Sequence, residues 1–454
     1  MQLKTMRSSR SNRKRLFVAL LLAVAFPSIH AQEGMERTAM EIIGEMNPGW
    51  NLGNTMEAIN WRTSIPPIDE NYGVGTETHW QSVKTSKQII EFVKQQGFKA
   101  VRIPCNWMCG HIIDPQTHTI DPAWILRVKE VVKYCTDIGL YVVLNDHYDG
   151  GWLERSFDNI TEDNVKEKET VMKNIWTQIA TEFDEFDEHL LFAGLNEPDV
   201  DNQAKTNVLL RYEQAFIDAV RATGGNNAKR VLIVQGPSTD IDKTYSYMNS
   251  LPKDVVEGKL MLEVHYYSPW QFCGMEKDED WGKMFYYWGS MNHSGGSPQR
   301  YGSQYEEAYM ERQLDKMYSK FVEKGIPVII GEYGANWRIV DENQTLHNQS
   351  IWFFYERINS LAAQRGMAAF AWDINYCNRP SMTIINRALK TIYNSYMMQG
   401  IKEAVTNIRQ LNTIGMEECL DIYDLQGRKV EPGNGITPYK RGVYLQPGKA
   451  MLVK

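Results

Sequence analysis

Short apolar runs recur along the chain at 49–52, 100–103, 140–144, 190–195, 230–234, 260–264, 327–330 and 367–371. Most are followed by a polar, glycine-containing or aromatic-rich stretch, and then by a segment with helical spacing of its apolar positions. Such segments lie at 86–96, 122–138, 165–183, 208–223, 305–324 and 347–365. Runs buried on both faces and alternating with helices argue for a parallel sheet with crossover connections. Eight such units predict an α/β fold of the closed (β/α)8 type, a TIM barrel, over 42–400. From about Ile401 the pattern changes to short β-like pieces, including 420–423 and 442–445, separated by Gly and Pro turns. They predict a small separate β-rich unit over 401–454.

In such a barrel the ends of the runs converge on one face, where the active site is built. The polar residues to examine are therefore Asn51, Arg102, His147, Asn196, Glu197, His265, Tyr267, Glu332 and Trp372. Asn196-Glu197-Pro198 closes the fourth run, and the proline stops the strand with a carboxylate at the barrel mouth. Gly331-Glu332-Tyr333-Gly334 closes the seventh run in the same way. Either glutamate alone reads as a solvated loop residue. Together on one rim they match what glycosidic hydrolysis needs, a proton donor of raised pKa and an anion.

Arg102 sits inside an apolar run, which requires a buried partner, and the expected partner is Glu332, kept ionised by it. His147 and His265 share the rim, Tyr267 follows two residues later, and the Trp372 indole offers a platform for a sugar ring. The aromatic-rich loop 268–304, with its Gly-Ser tract at 294–297, is expected to be a mobile wall of the cleft.

Composition narrows the class. Residues 1–31 hold six basic side chains and no acidic one, then an apolar stretch at 16–26 and Ile29-His30-Ala31, which reads as a secretory signal peptide. Losing six of 49 basic and none of 56 acidic residues leaves a net charge of −13. A chain so acidic repels nucleic acid and anionic lipid, and a neutral substrate is expected. Six cysteines in a chain this long do not make a disulfide framework, and Cys105 and Cys109 lack zinc-site spacing to other ligands. No phosphate-binding loop, H-E-x-x-H, G-x-S-x-G or dinucleotide fingerprint is present. No cofactor or metal is expected, the partner is a polysaccharide, and a monomer is expected, secreted, periplasmic or held at the cell surface.

Gly49-Trp50-Asn51-Leu52-Gly53-Asn54, Val101-Arg102-Ile103-Pro104, His147, Asn196-Glu197-Pro198, His265-Tyr266-Tyr267-Ser268-Pro269, Gly331-Glu332-Tyr333-Gly334 and Trp372 together resemble glycoside hydrolase family five, the cellulase family. The resemblance covers residues 42–400 with the motifs in family order. It implies retaining hydrolysis of a β-linked polysaccharide, with Glu197 as acid/base and Glu332 as nucleophile. Arg102, His147, Asn196, His265, Tyr267 and Trp372 match the family's pocket positions, and Asn196 is expected to bond the 2-hydroxyl. The tail, with Ile422-Tyr423-Asp424-Leu425-Gln426-Gly427 and Gly442-Val443-Tyr444-Leu445, looks like the C-terminal sorting domains of secreted Bacteroidetes proteins.

Internal cleavage of a β-1,4-glucan is the expected activity, with mannan or xyloglucan as alternatives. Trp61, Trp80, Trp107, Trp152, Trp270 and Trp281 are the candidate stacking sites, of which some must be core. A noncatalytic glycan-binding barrel has no reason to carry both glutamates, and a metal-dependent hydrolase needs more strand-end ligands than His147 and His265.

Overall fold

Each of the eight apolar runs forms a strand, and apart from Leu260 every residue of those strands is buried. A computed structural model describes residues 35–59, 73–377 and 381–416, together with four short strands beyond them. The strands are β1 Gly49–Asn51, β2 Ala100–Ile103, β3 Tyr141–Asn145, β4 Leu190–Ala193, β5 Leu232–Gln235, β6 Leu260–Tyr266, β7 Val328–Tyr333 and β8 Ala368–Ala371. All pair in parallel in chain order, and β8 closes on β1. One longer helix follows each strand: α1 Lys87–Gln95, α2 Pro122–Thr136, α3 Glu162–Glu182, α4 Gln203–Ala222, α5 Ile241–Tyr247, α6 Glu307–Lys320, α7 Gln344–Gln364 and α8 Ser395–Met416. The chain is a (β/α)8 barrel.

Strand alternation divides the apolar residues into two clusters. Ala100, Tyr141, Val143, Leu191, Ala193, Ile233, Met261, Ile329 and Phe370 fill the barrel interior, closed below by Ile42, Ile43 and Met46 around the short helix Ala39–Ile43. Val101, Ile103, Val142, Leu144, Leu262, Val264, Val328 and Ile330 face outward and pack with Val93, Val128, Ile175 and other helix residues. The same alternation decides which polar residues enter the barrel. Arg102 lies two residues beyond Ala100, and Glu263 and His265 lie two and four beyond Met261, so all three project inward at the upper end.

Strand β7 breaks the rule. Its pairing with β6 slips between Val264 and His265, so that His265 stands opposite Glu332, and its pairing with β8 slips at the corresponding place. One extra residue is therefore accommodated in β7 near Gly331, a β-bulge. Without it, alternation from Ile329 would aim residues 331 and 333 inward and Glu332 outward. With it, Tyr333 joins the outer cluster and Glu332 turns into the barrel mouth.

Two expectations need correction. The boundary at Ile401 falls inside α8, the eighth helix of the barrel. Met397, Met398, Ile401 and Ala404 recur at helical spacing and are all buried, and the Trp352 Nε1–H donates to Glu403 Oε2 at 2.9 Å, so α8 packs on α7. The β-like pieces belong to a four-stranded antiparallel sheet that starts only at Ile422–Asp424 and includes Gly442–Gln446. A chain ending at Met416 is therefore expected to melt and hydrolyse like the full-length protein. One ending at Gly400 loses buried Ile401 and Ala404 and is expected to melt several degrees lower or fail to accumulate, as thermal denaturation will show.

The loop 268–304, expected to be a mobile wall, is likewise anchored by packed rings around Tyr287, Trp288 and Tyr301, while 276–281 and 293–295 are exposed. Tyr287 and Trp288 have no exposed surface, Tyr301 and Leu346 pack with Tyr287, and a Cβ on Gly296 would strike the Tyr287 ring at 2.1 Å. The amide of Ser297 donates to Glu342 Oε2, and that of Gly296 to the Tyr301 hydroxyl. The large rings of this segment, rather than its Gly-Ser tract, decide its structure. Residues 1–31, expected as a leader, and Trp61 lie outside the described residues.

Candidate active site

Arg102 is the hub of the barrel mouth. Its guanidinium has no exposed surface and is surrounded by four acceptors contributed by four strands or the loops that follow them. Nη1 donates to Asn51 Oδ1 at 3.1 Å and to Glu332 Oε1 at 2.9 Å, Nη2 donates to Asn196 Oδ1 at 2.9 Å, and Nε lies 2.8 Å from Glu263 Oε1 in an ion pair. Because arginine has no acceptor, both asparagines must turn their carbonyl oxygens toward it. Asn51 then spends its amide on the carbonyl of Gly331 at 2.9 Å, which ties β1 to the bulge below Glu332. Asn196 is left with its amide group as a donor.

His265 joins the two rim glutamates. Its Nδ1 lies 2.7 Å from Glu197 Oε1 and 3.7 Å from Glu332 Oε2, and its Nε2 lies 3.2 Å from Glu263 Oε1. Both ring nitrogens face carboxylates, so both carry hydrogen and the ring is an imidazolium. Burial alone would lower its pKa, but the Glu332 charge and the hydrogen bonds to Glu197 and Glu263 outweigh it, and the group is pushed up to about 10. The Tyr267 hydroxyl donates to Glu332 Oε2 at 3.0 Å. Burial and the charges of Glu332 and Glu197 hold that phenol well above its usual range, so it remains a donor.

The two carboxyls differ in surroundings. Glu332 is only 7% exposed and accepts from Arg102 and Tyr267, whereas Glu197 is 47% exposed toward the cleft and meets His265. One oxygen of each, and a nitrogen of His265, all lie within 4.8 Å of one another. In the resting site burial raises the Glu332 carboxyl despite His265 and Arg102, while His265 outweighs burial at Glu197 and holds it below its ordinary value. This reverses the division expected for an acid at Glu197 and an anion at Glu332. The reason is position: the imidazolium sits an ångström nearer to Glu197.

The remaining predicted residues arrive at the same mouth. His147 and Trp372 lie with rings parallel, 7° apart and 5.9 Å between centroids. Burial, followed by the charges of Arg102 and His265, pushes His147 well below its usual pKa, so it is neutral. The Trp372 ring passes over Gly53, where a Cβ would come within 3.1 Å of it. Two residues of the site escaped the sequence reading. Glu263 is fully buried beneath Arg102 and His265, and Gln235 donates to its Oε2 at 2.7 Å. A charged residue inside the run 260–264, two positions before His265, was the available signal.

A family profile described as Cellulase (glycosyl hydrolase family 5) matches residues 69–378. The chain belongs to glycosyl hydrolase family 5. Endoglucanase A of Clostridium longisporum is 30% identical over 401 residues, covering 85% of this chain and 70% of that one. The cellulase/esterase CelE of Acetivibrio thermocellus is 32% identical over 377 residues, and the match spans 80% of this chain but only 40% of CelE. Among solved structures, a xyloglucan-specific β-1,4-glucanase from a ruminal metagenomic library, in complex with XXLG, superposes with a TM-score of 0.74 at 44% identity. That match covers 82% of this chain and 96% of the other.

In this family 5 barrel the aromatic candidates separate by exposure. Trp107 is core, Trp80 and Trp152 are half-buried, and the indole of Trp152 donates to Asp146 at 3.1 Å. Trp270 and Trp281, at 51% and 63% exposed, are free to meet a sugar. Trp270 stands edge-on to Tyr267 and lies over Gly274, where a Cβ would meet its ring at 2.1 Å, so it is held in place beside the site. Trp270→Ala is expected to raise KM about 5- to 10-fold with kcat little changed, since a stacking contact of ~1 kcal/mol is present before and during the reaction. Steady-state kinetics on a soluble glucan will check it.

Proposed function

We propose that the chain hydrolyses internal β-1,4 bonds of a glucan backbone with retention, and that its preferred glucan is the branched one, xyloglucan. The observation that carries the mechanism is the convergence of Glu197 and Glu332, with one oxygen of each inside a 4.8 Å triangle with His265. That suits the ~5–5.5 Å carboxyl spacing of retaining enzymes and leaves too little room for the water that inversion places between them.

In the first step a Glu332 oxygen attacks the anomeric carbon, the bond to the leaving oxygen breaks, and Glu197 supplies the proton to that oxygen. A glycosidic oxygen seated on Glu197 replaces its His265 contact. The one proton that the reaction requires on the pair then belongs on Glu197, because Arg102 and Tyr267 keep their donors on Glu332. In the second step ionised Glu197 takes a proton from water, whose oxygen attacks the anomeric carbon and releases Glu332. Asn196, held by Arg102, offers its amide to the 2-hydroxyl, and Trp372 carries the sugar face. All the charge handling in this scheme is supplied by side chains.

Substrate choice rests on the shape around Glu197. Two cavities open beside it, one of about 190 Å³ bordered by Ser238, Asp240 and Tyr309, the other of about 610 Å³ bordered by Tyr148, Glu154 and Arg155. Both belong to the cleft itself, since His147 and Asn196 line the larger and His265 and Tyr267 the smaller, so the cleft is open on two sides of Glu197, as a bulky, branched chain requires. The xyloglucan-specific relative at 44% identity points the same way. The leader at 1–31 supports export, and the tail's resemblance supports sorting to the cell surface.

A panel of xyloglucan, barley β-glucan, carboxymethylcellulose and mannan tests the reading. The highest kcat/KM is expected on xyloglucan, with viscosity falling before reducing ends accumulate and with β-anomeric products at first. Preference for an unbranched glucan would overturn the substrate and leave the mechanism standing. Sequencing the N-terminus of the exported protein tests the leader.

A further inference from the structure

Beneath the two rim glutamates lies a third carboxylate that cannot reach a sugar. Glu263 on β6 is fully buried, and every partner it has is part of, or one step from, the catalytic cluster. Its Oε1 faces Arg102 Nε at 2.8 Å and His265 Nε2 at 3.2 Å, and its Oε2 accepts from Gln235 at 2.7 Å. Gln235 in turn accepts the Leu195 amide at 2.8 Å, directly before Asn196 and Glu197. Room for Glu263 exists only because its neighbour on β7 is Gly331, where a Cβ would fall 1.8 Å from Glu263 Oε1. The residue that precedes Glu332 is thus small on account of Glu263.

Charge explains the arrangement. Arg102 and His265 are two cations, and Glu197, Glu332 and Glu263 are three carboxyls. With all three ionised the cluster is one negative charge in excess, and with one proton shared by Glu197 and Glu332 it is neutral. Glu263 itself keeps its charge: burial would raise it, but the Arg102 charge and the His265 hydrogen bond outweigh burial and hold it below the ordinary value. An acid and a nucleophilic anion can coexist above a charged His265 because Glu263 balances that charge. Without it, the same protonation state would leave a buried net positive charge, and the cluster would shed a proton.

We propose that Glu263 is a positioning residue for the hydrolysis, orienting Arg102 and His265 and balancing their charge so that the catalytic pair retains one proton. The groups whose charge it meets are Arg102 from β2 and His265 from its own strand, with Glu332 on β7, and Glu197 after β4, reached through those two; Gln235 on β5 is uncharged and His147 is neutral. This rests on the roles given above to Glu197 and Glu332.

E263Q is isosteric and removes the charge, and it also sets one amide donor of residue 263 against the Gln235 amide. Loss of a buried anion lowers the pKa of every titrating neighbour, so both limbs of the kcat/KM–pH profile are expected to move down by about one pH unit. At the wild-type optimum kcat should fall about 10-fold or more, with KM within about 2-fold. E263D keeps the charge and should keep both limbs in place while lowering kcat. A uniform loss of activity with unmoved limbs in E263Q, a change confined to KM, or limbs displaced in E263D would each overturn the proposal. If E263Q does not fold, the E263D profile alone decides. Should the Glu197 and Glu332 variants described below behave as expected while E263Q limbs stay fixed, this inference falls and the mechanism does not.

Discussion

Glu332→Ala is expected to abolish hydrolysis of every glycoside, by on the order of 10⁵-fold in kcat, whether the leaving group is a sugar or an activated phenol. The carboxylate is the only group described in the mouth that is 7% exposed and held by both Arg102 and Tyr267, so nothing else can bond to the anomeric carbon from its position. Glu197→Ala should separate from it. On polysaccharide the loss should be about 10²- to 10⁴-fold, the range for an absent general acid, because a sugar alkoxide leaves poorly without a proton. On a dinitrophenyl glycoside the first step needs no acid, so a burst of phenol should precede a slow steady state limited by the missing base. Azide, which attacks without needing deprotonation, should restore turnover of the accumulated intermediate. Equal loss in both variants on the activated substrate would contradict the roles assigned.

Arg102→Lys is expected to keep the fold and lose about 10²- to 10³-fold in kcat, comparable to the loss of a transition-state donor. A lysine ammonium keeps the charge but cannot span Asn51, Asn196, Glu263 and Glu332 with one planar fork. Glu332 would lose its orientation, and Asn196 the contact that turns its amide outward. Arg102→Ala should be worse in a different way. It leaves Glu263 and Glu332 buried together without their cation, and removing one partner of a buried ion pair costs about 3–5 kcal/mol. Thermal melting and kcat should therefore part company: the lysine variant nearly normal in Tm and poor in kcat, the alanine variant poor in both.

Much of this protein could be read from its sequence by itself. The eight strands appear as eight apolar runs because a parallel strand under helices is buried on both faces, and burial writes itself directly into residue type. The site residues could be collected because a barrel brings all strand ends to one rim, so Arg102, Glu197, His265 and Glu332 needed only to end their runs. Helix α8 was less legible, since its stripe of Met397, Met398, Ile401 and Ala404 is short and the β-like pieces follow closely. Glu263 was missed for a related reason: an isolated charge within a strand reads as an exception until its partners are known. The exposures that set Trp270 and Trp281 apart from Trp107 depend on what packs against each ring, which no local pattern records.

The orientation of Glu332 is the plainest case of what tertiary structure alone decided. Alternation along β7 predicts that Glu332 faces the helices, away from the substrate. The register slips against β6 and β8, the vacancy of a Cβ at Gly331 that admits Glu263, and the Asn51 amide on the Gly331 carbonyl together turn it inward. Sequence determined which residues reach the rim, because strand ends and apolar runs are local. Side-chain direction and charge state at the rim depend on neighbouring strands distant in the chain, whose contacts exist only once the barrel has closed.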